Sequence, residues 1–289
     1  MTYTLPATHT AAAGAGWIGR RELVLWVVAA ILANQALHVL DLGTPSAFLV
    51  SVLSLNLVYL LAGIVIVNRV LGSDGCAVAT RLEVVLGIGV LIAMAITGLV
   101  GYRMGIGVVS TAVALYALGR AGLDQSLRAA GAVLLALSAN LVWGPIFFQL
   151  VTPELLAADA FLVRGFLFFG GADVSVNGLT FANAQGHQVT LAGACSSFKN
   201  LSMGLLAGVA ITMALRPRFV RRDVVAIAAV CAIMVLLNAA RVGLLAASEA
   251  SHLYWHDGDG AVILAMVQTA LILALAFIGA HWATRSAAS

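Results

Sequence analysis

One cysteine of this sequence, Cys195, has neighbours that could make a thiol nucleophilic. It stands in Ala-Cys-Ser-Ser, immediately before an apolar run that is predicted to be a membrane-spanning helix. A thiol attacks as thiolate, and the free N–H groups of a helix N-terminus and a nearby positive charge both favour that form. Lys199, the only lysine, lies four residues on and shares the helix face of Cys195. The alternative is a small buried apolar side chain, the commoner fate of a cysteine.

Arg241 is a charged residue inside an apolar run, Leu-Leu-Asn-Ala-Ala-Arg-Val-Gly-Leu-Leu. An arginine at the centre of a span costs ~2.5–3.5 kcal/mol, so such a side chain normally faces a wet cavity, the bundle interior or a partner. Asn238, three residues earlier, shares its face and is expected to bind a ligand or hold the guanidinium. The alternative is an arginine that extends to the outer lipid headgroups.

A third reactive side chain, His256, stands in Ser-His-Leu-Tyr-Trp-His-Asp-Gly-Asp-Gly. Imidazole is suited to moving protons near neutral pH. His252 is its competitor for that role, and Asp257, Asp259 or Glu249 could orient either ring. An interfacial histidine alone is more often structural, but beside a reactive cysteine and an arginine it fits the acid/base of a thiol mechanism.

The elements that must position these residues are membrane helices. Of the 289 residues, 62% are hydrophobic and only 9% are charged, whereas a soluble domain carries about 25% charged residues. Runs of roughly 20 apolar residues predict spanning helices. We predict an all-α polytopic membrane protein with eight spans, at residues 22–40, 46–68, 82–100, 104–119, 128–150, 196–215, 223–247 and 260–282.

The basic residues orient this bundle, because they are enriched in cytoplasmic loops. They predict a multi-pass protein of the cell (inner) membrane with cytoplasmic tails at 1–21 and 286–289, and with 22–285 as a single membrane domain. Since the net charge of +3 comes from these loops, no nucleic-acid partner is expected. The predicted inner side collects Arg20, Arg21, Arg69, Arg81, Arg120, Arg128, Arg216, Arg218, Arg221, Arg222 and Arg285, and the outer side keeps Arg103, Arg164, Lys199 and Arg241.

Residues 151–195 form the one long connection, which this topology places outside. Its first part, from Pro153 to Phe169, mixes charged and apolar residues and fits a helix lying at the interface. After it, apolar and polar residues alternate around Asn177-Gly178 and Gln185-Gly186, which predicts two or three short strands joined by tight turns. The alternative is an ordered loop without strands.

The same topology brings Cys195, Arg241 and His256 to one depth at the outer face. The other cysteines do not reach that depth, since Cys76 falls in a predicted inner loop and Cys231 lies about 15 Å deeper in the membrane. The three cysteines show no metal-ligand spacing. Two other classes of protein remain open: a transporter or channel that uses Arg241 and His256, and a glycan ligase or assembly subunit that needs no cysteine.

In their order and spacing these residues resemble the exosortase/archaeosortase family, over roughly residues 130–275. The family usually has glycine where Ser197 stands. The stretches that carry the resemblance are Ala194-Cys195-Ser196-Ser197, Asn238-x-x-Arg241 and His256-x-x-x-Gly260, each on a successive late helix.

The resemblance implies a membrane cysteine peptidase or transpeptidase without metal or organic cofactor. It would cleave C-terminal sorting signals that combine a short motif (Pro-Glu-Pro in PEP-CTERM signals), a spanning helix and a basic tail. The implied partners are that signal helix, the bilayer and an amine or a glycan/lipid acceptor. Cys195 would form an acyl-thioester, His256 or His252 would move protons, and Arg241 would stabilise the thiolate or the oxyanion. Asn238, Lys199 and Ser196 would support them.

Overall fold

The computed structural model describes residues 18–39, 57–73, 77–100, 103–120 and 124–285. These residues are almost entirely helical, and one small sheet interrupts the helices. Two π-helical turns, Ala139–Trp143 and Leu253–Asp257, connect α5 to α6 and α9 to α10. The helices are α1 Arg20–Val39, α2 Leu57–Leu71, α3 Arg81–Val100, α4 Arg103–Gly119, α5 Gln125–Ser138, α6 Gly144–Phe169, α7 Phe198–Leu215, α8 Arg221–Ala247, α9 Glu249–His252 and α10 Asp259–Arg285.

Within the described residues, 5 stretches of helix are long and apolar enough to cross a membrane. The helices α2 and α4 are apolar but shorter, and part of the second predicted span, 46–68, lies outside the described residues. The prediction of a multi-pass helical protein is therefore confirmed, whereas the count of eight spans is not. The spanning stretches are Arg81–Val100, Gln125–Phe169, Phe198–Leu215, Arg221–Ala247 and Asp259–Arg285.

The predicted connection at 151–195 begins as helix. Helices α5 and α6 follow one another through the π-helical turn as a continuous stretch of 45 residues. A kink at Val151, with φ −124° and ψ 23°, marks the place where the sequence predicted the end of a span. Pro153 explains the kink, because proline lacks the N–H of a helical hydrogen bond and its ring clashes with the preceding turn. The predicted interfacial helix is thus the second half of α6, and the non-helical connection starts at Gly170.

The predicted strands are present as a three-stranded antiparallel sheet in the order β1-β2-β3. Its strands are β1 Val174–Asn177, β2 Thr180–Asn183 and β3 Gln188–Thr190. The turns contain Gly178 at φ +59° and Gly186 at φ +86°, values that favour glycine. Phe181 is fully buried under the sheet, against α6 and α8. The sheet therefore covers the part of α8 that precedes Ala247.

One end of the bundle is held together by basic side chains, and we call it the arginine-rich end. Here Arg20 and Arg120 bind Glu83, which joins the start of α1, the start of α3 and the end of α4. Arg69 Nε, at the end of α2, donates to the carbonyl of Met213 at the end of α7 over 2.6 Å. The sheet and the beginnings of α7 and α10 lie at the opposite end, which we call the site end.

Candidate active site

Cys195 closes a short 3-10 turn, Gly193–Cys195, at the site end. The helix α7 begins at Phe198, three residues later, so Cys195 precedes the helix and is not its first residue. The thiol is free and partly buried, and it packs at the edge of the apolar cluster beneath the sheet. Cys231 is also free and lies on α8, where its Sγ donates to Leu201 O. Cys76 lies outside the described residues.

A buried carboxylate, Asp159 on α6, holds the two serines that follow Cys195. It is 5% exposed and accepts hydrogen bonds from Ser196 Oγ at 2.9 Å, Ser197 N at 3.0 Å and Ser197 Oγ. A carboxylate is favourable at this place because it faces the positive end of α7. The hydroxyl of Ser197, which stands at the usual glycine position of the family motif, is therefore used to bind Asp159.

This contact changes one sequence expectation. An N–H group at the start of α7 was expected to favour a thiolate at Cys195, but Ser197 N donates to Asp159 instead. In the sequence, Asp159 is one of the charged residues of the predicted interfacial helix. The sequence did indicate a buried contact, because Asp159 stands among apolar residues in Ala-Ala-Asp-Ala-Phe. A carboxylate in such surroundings needs a partner.

Asn238 binds the backbone of Cys195 from α8. Its Nδ2 donates to the carbonyl of Cys195 over 2.8 Å, and its Oδ1 accepts from Asn200 Nδ2 over 3.2 Å. The side chain is 2% exposed. Asn238 was expected to hold a ligand or the guanidinium of Arg241, whereas the structure shows it fixing the turn of Cys195. Asn200, which completes this link, was missed because its partner comes from another helix.

Arg241 lies one turn beyond Asn238 on α8 and is partly buried. Its guanidinium makes no hydrogen bond or ion pair with any residue in the part of the chain that the structure describes. Lys199, on α7, is exposed, and its ammonium likewise has no partner among the described residues. Two cations without a described partner therefore lie at the site end, one partly buried and one in contact with solvent.

Three histidine rings form a row at the site end. His252 stacks on His256 with ring centroids 5.1 Å apart, and the edge of His187 contacts His252 at 5.3 Å. The Nδ1 of His256 lies 2.7 Å from a carboxylate oxygen of Asp257. Of the described residues, none offers a hydrogen bond to the buried Nδ1 of His252. The two predicted acid/base candidates, His256 and His252, therefore contact each other.

The glycine at position 260, four residues after His256, is required by close packing. A Cβ at that position would lie 2.6 Å from the ring Cε1 and 2.8 Å from the carbonyl oxygen of Tyr254. Glycine therefore allows Tyr254, which precedes His256 in the π-helical turn, to lie directly on the first turn of α10. Such turns inside helices are frequent at functional sites.

The β2–β3 turn ties the histidine row to α8. His187 Nε2 lies 3.0 Å from the carbonyl of Leu245, and Asn183 Nδ2 donates to the carbonyl of Ala247 over 3.0 Å. A cavity of about 520 Å³ opens between this turn and the junction of α8 with α9, lined by Asn183, Gln185, His187, Gln188, Ser248 and Glu249. His187 was missed because the sequence pattern around it was interpreted only as a strand connection.

The helix α8 connects the two parts of the site. Asn238, Arg241 and Leu245 follow each other at intervals of three and four residues, so they lie along one face of the helix. Asn238 binds the Cys195 turn and Leu245 binds His187, about 10 Å apart along the axis. No hydrogen bond joins the side chains of Cys195, Arg241 and His256 directly within the described ranges, but all three lie at the site end.

Comparison with known proteins agrees with the motifs of this site. Residues 21–273 match the sequence profile of transmembrane exosortases. The chain belongs to the transmembrane exosortase family. The match includes the early helices as well as the Cys195, Arg241 and His256 motifs, so it extends the resemblance seen in the sequence. No curated protein matches the chain, and no solved structure does.

Proposed function

We propose that this exosortase-family protein is a cysteine peptidase or transpeptidase that cleaves C-terminal sorting signals. The observation that carries the proposal is Arg241, a partly buried cation without a partner among the described residues, one helical turn from the side chain that binds Cys195. A cation in that position is available to a negative charge that develops during the reaction. The match to the exosortase profile, whose range includes the Cys195, Arg241 and His256 motifs, supports the same assignment.

In the proposed reaction, the histidine takes the proton of the Cys195 thiol, and the thiolate attacks the carbonyl carbon of the scissile peptide bond. Arg241 donates hydrogen bonds to the oxyanion of the tetrahedral intermediate, and such a donor is worth ~2.7–4 kcal/mol. The C–N bond then breaks, and the leaving amine takes a proton from His256, or from His252 as the alternative. The acyl group remains on Cys195 as a thioester.

In the second half of the reaction, an acceptor attacks the thioester. The acceptor is an amine or a group on a glycan or lipid in transpeptidation, and water in hydrolysis. The histidine takes the acceptor's proton, and Cys195 leaves as thiolate. Asn238, together with Asp159 and Ser196, acts on the backbone of the Cys195 turn and so positions the nucleophile without touching substrate. Lys199 adds a solvated positive charge beside the turn.

The proposed substrate is an exported protein whose C-terminus carries a motif, a spanning helix and a basic tail. Its helix would pack in the bilayer beside this bundle, its motif would reach the site end, and its basic tail would remain with the arginine-rich end. The predicted cytoplasmic position of the basic residues supports an outer-face site in the cell (inner) membrane.

The test is processing of a reporter with such a C-terminal signal, in cells that also produce the enzyme. Cys195→Ala and Cys195→Ser are expected to lower the rate by on the order of a thousandfold or more, as loss of a catalytic nucleophile does. Cys231→Ala is the matched control, because it removes a partly buried thiol from α8, and it should process normally. Full processing by Cys195→Ala would instead overturn the thiol mechanism.

The orientation is tested separately with a membrane-impermeant maleimide on intact cells. Cys195 should be labelled from outside, and the labelling should disappear in Cys195→Ala. It should persist in a Cys76→Ala, Cys231→Ala double variant. Labelling of Cys76 alone from outside would invert the proposed topology.

A further inference from the structure

The histidine row contains a set of groups that could bind a metal ion. His252, His256 and Asp257 each offer one ligand atom, and these atoms lie within 4.8 Å of one another. In a tetrahedral zinc site with bonds of about 2.0–2.1 Å, ligand atoms are ~3.3 Å apart. The side chains of His256 and Asp257 are 45% and 65% exposed, so they can make the small movement that an ion requires.

A second observation points to a ligand at the same place. His252 Nδ1 is buried and has no hydrogen-bond partner among the residues that the structure describes. A buried nitrogen without a partner is unfavourable unless something binds it. His252 and His256 are also four residues apart, the spacing that places two histidines on one helix face in known zinc sites.

His187 stabilises this arrangement from the sheet. Its Nε2 lies 3.0 Å from the carbonyl of Leu245, which fixes the ring whose edge packs against His252 at 5.3 Å. Asp257 Oδ1 lies 2.7 Å from His256 Nδ1, so two of the three proposed ligand side chains are already adjacent.

We propose that His252, His256 and Asp257 bind a divalent transition-metal ion of the zinc class, and that this ion blocks processing. Two imidazoles and one carboxylate favour such an ion over Ca²⁺ or Mg²⁺, which prefer sets of oxygen ligands. Binding would use the lone pair of His256, which could then no longer accept or donate a proton. The blocking effect rests on the proposed function, whereas the binding of the ion does not. The ion is an inhibitor in this proposal and not a cofactor.

Binding is tested first, without any substrate, on the purified full-length protein in detergent. Titration with Co²⁺ should give one site per chain with the visible absorption of a low-coordinate ion. His256→Ala should weaken it at least tenfold; since that side chain is exposed, the variant should fold. His281→Ala, an exposed histidine on α10 that stacks on Phe277, is the matched control and should bind like the unaltered protein. Unchanged binding in His256→Ala, or an absorption band of thiolate–cobalt that disappears in Cys195→Ala, would overturn the site.

Inhibition is tested next, with Zn²⁺ and each variant compared with its own metal-free rate. In the unaltered protein and in His281→Ala, processing should fall at the concentration at which the site fills, and a chelator should restore it. In His187→Ala, binding and inhibition should both shift to higher Zn²⁺ by the same factor, because His187 orients a ligand. Undiminished processing at a filled site would overturn the blocking effect, while a loss of processing in Cys195→Ala would still support the proposed function.

Discussion

Glu83 and Arg241 are charged residues on apolar helices, but they lie at opposite ends of the bundle and have different surroundings. The side chain of Glu83 is 4% exposed and lies 3.1 Å from Arg20 Nε and 3.0 Å from Arg120 Nε. It also accepts hydrogen bonds from Thr80 and Tyr116. Arg241 is partly buried and binds none of the residues that the structure describes.

The difference indicates which charge holds the fold together and which is available for chemistry. Removing a charge from water is costly unless it is paired, so the partners of Glu83 stabilise its buried position. Those contacts link three helix ends at the arginine-rich end. The donors of Arg241 have no partner among the described residues. In the proposed function, a substrate oxyanion supplies that partner.

Asp159 shows that the site end also contains a charge with hydrogen-bond partners. Among the described residues, its carboxylate accepts hydrogen bonds from the two serines after Cys195. It therefore shapes the turn that carries the nucleophile and leaves the chemistry to other groups. The following substitutions test whether charges with bonding partners stabilise the structure while a charge without them acts in the reaction.

The largest effect is expected from Arg241→Lys. Lysine keeps the charge but loses the planar fork of donors. We expect processing to slow by about 10²–10³-fold, the cost of one oxyanion donor, with little change in thermal unfolding of the purified protein. The matched control is Arg164→Lys, an exposed arginine on α6, which should process normally. Normal turnover by Arg241→Lys would mean that Arg241 only anchors α8.

Glu83→Gln should give the opposite result: the folded state should lose stability, while the processing rate per folded molecule should not fall. It leaves Arg20 and Arg120 without their carboxylate, and breaking a buried pair costs on the order of 3 kcal/mol. The fraction of unfolded protein should therefore rise by about a hundredfold, measured by denaturation in detergent. Glu22→Gln is the control, because the side chain of Glu22 is 45% exposed. The rate per folded molecule should stay unchanged, and a specific loss of rate would remove the contrast with Arg241.

The fold was largely predictable because its signals are local. Apolar runs fix where helices can start and end in a membrane. From residue 82 onward the predicted spans agree with the observed helices to within three residues, except for the span predicted at 128–150, whose helix continues to Phe169. The sheet was predictable for the same reason, since Asn177-Gly178 and Gln185-Gly186 provide glycines for turns with positive φ. The kink at Val151 is explained by Pro153, two residues later.

The contacts of the site were not predictable, because they join residues that are far apart in the sequence. The sequence indicated that Asn238 and Cys195 lie at one end, but not that Asn238 binds the Cys195 carbonyl. The bond between Asp159 and Ser196 requires α6 to continue past Pro153, which the sequence did not establish. The π-helical turn that places His256 on His252 has no sequence pattern of its own.

Asp159→Asn is expected to have a moderate effect. Asparagine keeps the shape but weakens hydrogen bonds to Ser196 and Ser197 that are assisted by charge. We expect processing to slow by about tenfold, consistent with ~1–2 kcal/mol for such bonds, through a misplaced Cys195 turn. Maleimide labelling of Cys195 should change in parallel. Asp173→Asn, an exposed aspartate in the loop before β1, is the control; equal losses in both variants would argue against a positioning role.

The smallest effect is expected from Lys199→Gln. This variant tests whether a cation without a partner must also be partly buried to contribute to processing. The ammonium of Lys199, like the guanidinium of Arg241, binds no described residue, but Lys199 is exposed and water already solvates its ammonium. A solvated charge acts weakly over distance and is screened by salt. We expect processing to slow by no more than about threefold, with Lys199→Arg as the control that keeps the charge. The difference from Lys199→Arg should shrink as salt is raised. A loss as large as that of Arg241→Lys, retained at high salt, would show that the two cations contact the substrate together.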